Sequence, residues 1–402
     1  MSAPGVVSNA GGDGRLRALF VNSGILGHRS VARVLREAVA ADDRVEAEHV
    51  DLSEGLTTGD RVVRRLLCAG PRSGASFPGA ALTFPRFRAE LNAGLLAARR
   101  IGALEGRGRR FDVLHFHTQA TAWASVARMR ATPSVVSIDA TQRLASLEAP
   151  PSARIDYAPG ARADARVFAA AAAIVSPSRW AADDLVAGQP ECAGKVHVMP
   201  YPVPLEGFDP EWAEERYERT ARDPSAPVRV LFVGGDWARK GGPALLAAWR
   251  EGGFAARARL VLVTAAEVGA LPPGVEVRRG VEAYTRAWLD LWREADLFVM
   301  PTRGEAFGMV FQEAAAAGLP VVGTAINAVP EIVLDGETGL LVPPGDARAL
   351  AEAMRALVDS PERRREMGTV ARLRIEAIAS VEGYAARLGA ILRAATEGGA
   401  HG

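Results

Sequence analysis

Cysteine, net charge, long apolar runs and several nucleotide-binding signatures are scarce or missing in this 402-residue chain. Two cysteines, Cys68 and Cys192, cannot build a disulfide framework or a zinc cage by themselves, which suits a reducing compartment. Lysine and arginine number 48 against 47 aspartates and glutamates, a formal net charge of +1, so a nucleic-acid-coating role is excluded. The longest apolar run, Val167 to Val175, falls far short of the roughly 20 residues a membrane-spanning helix needs. The opening MSAPGVVSNAGGDG has no basic start followed by an apolar core, so residues 1–14 are expected to be a disordered tail and not an export signal. These readings point to a cytoplasmic protein, at most peripheral to the inner membrane face. No G-x-x-x-x-G-K-[ST] pattern occurs, and Gly24-Ile25-Leu26-Gly27 is not G-x-G-x-x-G, so P-loop and NAD-binding readings lose their main support. No two aspartates lie two positions apart, so no D-x-D motif is present to hold a divalent ion.

What is present reads as two similar halves. At about 150 residues per domain the length predicts two or three domains. Leu16 to Asn22 has the pattern of a strand, followed by a glycine turn and a helical pattern through Val31, Val34, Leu35 and Val39. The same order returns at Val228 to Val233, the turn Gly234 to Gly242, and a helix through Leu245, Leu246 and Trp249. Further strands are predicted at Val45 to Val50, Val113 to Phe116, Val135 to Ile138, Ala173 to Ser176, Arg259 to Thr264, Leu297 to Met300 and Val321 to Thr324. Alternating strands and helices predict parallel α/β sheets covered on both faces. Met199-Pro200-Tyr201-Pro202-Val203-Pro204 spaces three prolines alternately and continues neither helix nor central strand, which places the domain boundary there. The expectation is an N-terminal Rossmann-like domain over 15–199 and a C-terminal one over 200–376, facing across a cleft with a ligand at the carboxyl ends of their strands.

Chemistry concentrates in Pro301-Thr302-Arg303-Gly304-Glu305-Ala306-Phe307-Gly308 and the helical stretch Met309 to Gly318. Apart from Gln312 and Glu313 that helix is apolar all round, which marks it as buried. A buried Glu313 needs a partner, either a basic residue or a ligand hydroxyl. Glu305 stands eight positions earlier, about 12 Å at helical rise, too far for a glycosidase pair but suited to gripping two ends of an elongated ligand. The amides of Phe307 and Gly308 at the helix start suit a phosphate between them. Arg239 and Lys240 lie in a glycine-rich turn where cations converge on an anion, with diphosphate the natural guess. His115 and His117 share one face of a strand; His117 is nearer the carboxyl end, and His115 is expected to be a satisfied core histidine. No third metal ligand stands at recognisable spacing, so no metal site is expected.

These residues resemble the GT-B glycosyltransferases of family 4, retaining enzymes that use nucleotide-sugar donors. The resemblance rests on Glu305-Ala306-Phe307-Gly308 through Glu313 as the E-x(7)-E motif, on Val329-Pro330-Glu331-Ile332-Val333 with Asp335 to Asp346, and on the Lys240-Gly241 turn. Weaker echoes are the Gly24 to Gly27 loop, His115-Phe116-His117 and Ser176-Pro177-Ser178-Arg179-Trp180. It implies that Glu305 contacts the donor sugar, Glu313 the ribose hydroxyls, and Lys240 with Arg239 the diphosphate, assisted by the amides of Phe307 and Gly308. It implies too that His117 lies beside the reacting sugar, that Gly24 and Gly27 line a loop near donor phosphate or acceptor, and that neither metal nor cofactor is required. The final helical pattern, Val381 to Ala394 within residues 377–397, would cross back to the first domain. Two positions depart from the family: Gly234 and Gly235 stand where many members place an arginine, leaving Arg239 as substitute, and Asn327-Ala328 stand where two glycines are common.

The implied reaction moves a sugar from a nucleotide diphosphate to an acceptor hydroxyl on a glycan, lipid-linked sugar or small-molecule glycoside, with retention. A nucleotide-sugar epimerase of the same architecture, or a binding protein without turnover, are the alternatives. Residues 61–110 hold eleven arginines against two acidic residues, interleaved with Leu66, Leu67, Phe77, Phe84 and Phe87. That stretch reads either as a solvated face or as a surface for anionic membrane lipid or an anionic acceptor.

Overall fold

A computed structural model describes residues 14–24, 27–40, 42–68 and 84–398. The tail expected over residues 1–14 lies, but for Gly14, outside the described residues, as do Arg72 and Phe77 of the arginine-rich stretch. The chain forms two compact units, Met1–Pro200 with Glu382–Gly402, and Tyr201–Val381.

The first unit carries β1 (Leu16–Asn22), β2 (Val45–Asp51), β3 (Val113–His117), β4 (Ser134–Ser137), β5 (Ala173–Ser176) and β6 (Val196–Val198). They pair in parallel in the order β2-β1-β3-β4-β5-β6. The second carries β7 (Val228–Val233), β8 (Ala258–Val263), β9 (Val275–Arg278), β10 (Leu297–Met300), β11 (Val321–Thr324) and β12 (Gly339–Val342), parallel in the order β12-β11-β10-β7-β8-β9. Central strands such as β3, β5, β10 and β11 are buried along their whole length, as sheets covered on both faces require. Both orders reverse direction once, between β1 and β3 and between β7 and β10, and a doubly wound sheet presents its ligand crevice at the carboxyl side of that reversal. Both units are therefore Rossmann-like.

Aromatic packing anchors the second unit: Trp288 on Trp292 at 5.4 Å, Trp292 on Phe298 at 5.3 Å, and Phe298 on Phe311 at 6.0 Å between ring centres. The helix Pro361–Ala379 belongs to this unit, and the chain returns to the first in the helix Val381–Gly398. There Leu388 and Leu392 are buried, Arg393 meets Asp42 at 3.2 Å, and Arg387 donates to the Val198 carbonyl at 2.8 Å. Both cysteines are free thiols, Cys68 exposed and Cys192 buried. Among the described residues no helix is long and apolar enough to cross a membrane.

Candidate active site

The loops after β7 and β10 meet at the switch point of the second unit. Gly241 has φ +82°, and a Cβ there would lie 1.9 Å from the Pro301 carbonyl oxygen, so only glycine lets the loops touch. Arg303 N–H donates to the Arg239 carbonyl at 2.8 Å, and the Arg239 guanidinium donates back to the Gly304 carbonyl at 2.6 Å. This lacing sets Lys240 against Glu305 as a direct ion pair between largely buried side chains. Arg239, half exposed, stands 3.8 Å from the same Glu305 oxygen and 3.2 Å from Asp236. Arg239 and Lys240, adjacent in sequence, thus form one cluster with Glu305, 65 positions beyond Lys240.

Glu305 is followed by Gly308 at φ +95°, which opens the helix Met309–Ala316. A Cβ on Gly308 would press on the Phe311 ring at 2.8 Å and on Glu305 Cγ at 3.0 Å, so the turn holds Glu305 close to the helix start. Phe307 is buried with its ring edge-on to Tyr201 at 5.4 Å. Among the described residues no hydrogen bond engages the amides of Phe307 or Gly308. At the other end of the helix two buried guanidiniums satisfy the terminal carbonyls: Arg216 those of Ala317 at 2.6 Å and Gly318 at 3.2 Å, Arg372 that of Ala316. With its negative end capped, the helix offers its positive end beside Glu305.

Glu313 is buried, as its apolar helix predicts. The sequence left its partner as a basic residue or a ligand hydroxyl; the structure adds a protein hydroxyl, Tyr284, which donates at 2.9 Å. Burial pushes the Glu313 carboxyl up to about 7, against the opposing pull of the Tyr284 hydrogen bond and the charge of Lys240. Nothing in the spacing ties residue 284 to residue 313; the signal was only the demand of a buried carboxylate for a donor.

The first unit's switch point repeats the backbone plan. Ser23 N–H donates to the His117 carbonyl at 2.9 Å, joining the ends of β1 and β3. Gly24 has φ +67°, and a Cβ there would lie 2.2 Å from Asp51 Oδ1. Gly27 opens the helix Gly27–Ala40, while Ile25 and Leu26 lie outside the described residues. Asp51, Asn22, His117 and Ser137 are register neighbours across four strands. His117 is wholly buried with Nε2 4.0 Å from Asp139. His115 is a core histidine satisfied at one nitrogen only: Nε2 bonds Ser137 Oγ at 2.9 Å while Nδ1 has no hydrogen-bond partner among the described residues, the ring packs on Phe20 at 4.8 Å, and burial lowers its pKa to about 3. Asn22 escaped the sequence reading, yet it is wholly buried and neither polar atom of its amide has a hydrogen-bond partner among the described residues.

Within the arginine-rich stretch, Arg86, Arg99 and Arg109 are spent on Glu90, Asp60 and Glu48 at 2.8, 2.6 and 2.7 Å. The helix Thr58–Cys68 instead exposes Val62, Val63 and Leu66 together with Arg61, Arg64 and Arg65. Among the described residues no cluster of three or more His, Cys, Asp or Glu side chains is placed to hold a metal ion.

Comparison with known proteins agrees with the fold. Residues 227–360 match the model of glycosyl transferases group 1, and residues 50–206 that of glycosyltransferase family 4. A D-inositol 3-phosphate glycosyltransferase 1 of Catenulispora acidiphila is 30% identical over 369 residues, 85% of this chain and 82% of that protein. The Xylanimonas cellulosilytica D-inositol 3-phosphate glycosyltransferase is 29% identical over 69% of this chain and 72% of its own length. Among solved structures, sucrose-phosphate synthase from Thermosynechococcus elongatus aligns with TM-score 0.66 at 20% identity, over 94% of this chain and 98% of that one. Anabaena HepE, solved in complex with UDP-glucose, aligns with TM-score 0.65 at 16% identity, over 94% and 100%. At these identities the structural likeness speaks for the GT-B fold alone.

Proposed function

The chain belongs to family 4 of the GT-B glycosyltransferases, and from that premise we propose that it transfers a sugar from a nucleotide diphosphate to an acceptor hydroxyl with retention of anomeric configuration and without a metal ion. The observation that carries the reading is the Lys240–Glu305 pair with Arg239 beside it, at a helix start where the Phe307 and Gly308 amides have no hydrogen bond among the described residues. Breaking the bond between sugar and diphosphate develops negative charge on the leaving group, and fixed cations with a helix start lower the barrier by holding that charge. Lys240 and Arg239 are assigned to the diphosphate with the amides of Phe307 and Gly308, Glu313 to the ribose diol, and Glu305 to the donor sugar. His117, at the carboxyl edge of the first sheet, is assigned to the reacting sugar, and the Gly24 turn to the acceptor side.

Glu305 is neutralised by Lys240, which makes it a poor nucleophile and favours front-side attack. In that step the anomeric carbon–phosphate oxygen bond breaks, the acceptor oxygen bonds to the same face, and the acceptor's proton goes to the departing phosphate. UDP-sugars come first in the donor panel because the HepE neighbour was solved with UDP-glucose. D-inositol 3-phosphate comes first among acceptors because the relatives carry that name. Product from an EDTA-treated enzyme, analysed by proton NMR, should keep the donor's anomeric configuration. An inverted product, loss of turnover in EDTA, or a sugar trapped on a carboxylate would overturn the respective part.

We also propose that the exposed face of Thr58–Cys68, apolar side chains set among arginines, brings the enzyme to anionic lipid. Sedimentation with vesicles containing phosphatidylglycerol at low salt should carry the protein down, and Arg61→Glu/Arg64→Glu/Arg65→Glu should leave it in the supernatant. Equal sedimentation of both forms, or none of either, contradicts this contact.

A further inference from the structure

Tyr284 combines two features that packing alone does not require. Its backbone sits at φ +64°, a conformation a bulky side chain rarely takes and that its surroundings must hold. Its ring lies 4.8 Å from that of Trp288, a buried residue of the helix Arg286–Glu294, and its hydroxyl ends on the buried Glu313 carboxylate at 2.9 Å. The rigid aromatic stack beneath therefore fixes one hydrogen-bond donor at one carboxylate.

The other groups facing Glu313 are few. Lys240 approaches from the loop after β7, and its charge is shared with Glu305 from the loop after β10. Gln312, next to it on its own helix, is turned away and donates to the Tyr201 carbonyl at 3.0 Å. An ionised carboxylate only accepts, with about four lone-pair sites, so it can take both hydroxyls of a ribose diol and a tyrosine hydroxyl together. A protonated carboxyl must spend one oxygen as a donor and loses that capacity. Burial favours the protonated form and the Tyr284 hydroxyl opposes it.

We propose that Tyr284 is the positioning residue that orients Glu313 for the nucleotide's ribose diol and eases its ionisation, so that donor binding draws Glu313 into its ionised form and releases its proton. This rests on the donor-site assignment above. Full-length native protein, Tyr284→Phe and Glu313→Gln are titrated calorimetrically with the nucleoside diphosphate that binds the native form, from pH 5.5 to 9. The ligand's own phosphate titrates alike in all three, so the displacement between profiles is the readout. Native affinity should climb with pH and level off above neutrality. Tyr284→Phe keeps the ring on Trp288, and its profile should move to higher pH, with affinity about tenfold weaker near pH 7 and close to native at pH 9. Glu313→Gln should bind weakly, with the pH-linked component lost. A Tyr284→Phe protein that tracks the native profile, or that is weaker by the same factor at every pH, overturns the linkage alone. Native protein that binds no nucleoside diphosphate at pH 9 overturns the donor-site assignment, and this inference with it.

Discussion

At the carboxyl edge between β1 and β3 the chain places an amide and an imidazole, Asn22 and His117, both wholly buried. At the equivalent edge between β7 and β10 it places Lys240, Glu305 and Arg239, interlocked by charge. The backbone plan is shared: a glycine of positive φ in the loop after the first strand, and backbone hydrogen bonding from that region to the loop after its neighbour. The side chains differ in the way two kinds of ligand would require. Fixed cations and a helix start match an anion, whereas an amide and an imidazole match hydroxyl groups by donating and accepting. On the proposed assignments the shared fold supplies position, and the few residues at each reversal would supply the chemistry.

Removing the charge should have the largest effect. Lys240→Ala should lower kcat/KM by about 1,000-fold, roughly 4 kcal/mol of transition-state stabilisation, and weaken nucleoside diphosphate binding. It should also lower the melting temperature, because the largely buried Glu305 is left with only the half-exposed Arg239 at 3.8 Å. Lys240→Ala/Glu305→Gln should recover the melting temperature and not the turnover, which separates the structural from the catalytic loss. In the first unit, His117→Ala should lower kcat by about 100-fold while the dissociation constant for nucleoside diphosphate stays within about twofold. Equal loss of nucleotide affinity in the His117 and Lys240 variants would abolish the division of labour between the two edges.

Smaller effects sharpen the same contrast. Gly241→Ala sets a Cβ 1.9 Å from a backbone oxygen that cannot swing aside, whereas Gly24→Ala meets side chains only, Asp51 Oδ1 at 2.2 Å and Ser53 Cβ at 2.6 Å. Chemical denaturation should show a loss of about 2 kcal/mol or more for the former and about 1 kcal/mol for the latter, since both also force alanine to positive φ. Glu313→Gln should stabilise the protein at pH 8 by about 3 kcal/mol while impairing donor binding. An unfolded glutamate titrates near 4.5 and the buried one near 7, so the folded state holds the extra proton in between. Native stability therefore falls relative to the glutamine variant as pH rises through that window, and the difference should vanish below about pH 4.5.

The periodic parts of the fold were legible in the sequence. Buried strands such as Leu297–Met300 and Ala173–Ser176 stand as short apolar runs between helical patterns, and structure and expectation agree at both ends. β6, β9 and β12 were not foreseen: β9 alternates Val275 and Val277 with exposed Glu276 and Arg278, and β6 has only three residues. Short edge strands owe their pairing to neighbours already in place, so their local pattern carries little signal. Within the candidate site, residues adjacent in sequence, such as Arg239-Lys240 and Phe307-Gly308, were singled out from their turns. Tyr284 and Asn22 were not, because one is defined by a partner 29 positions away and the other by having none in a buried row.

The central claim is that the charged edge of the second unit holds a nucleotide diphosphate through fixed protein charges. Calorimetric titration of UDP, GDP and ADP into native and Lys240→Ala protein, in EDTA, tests it most directly. One of the three should bind the native protein at micromolar concentrations and the variant at least tenfold more weakly. Binding that appears only when a divalent ion is added, or that is equal in the two proteins, would contradict it.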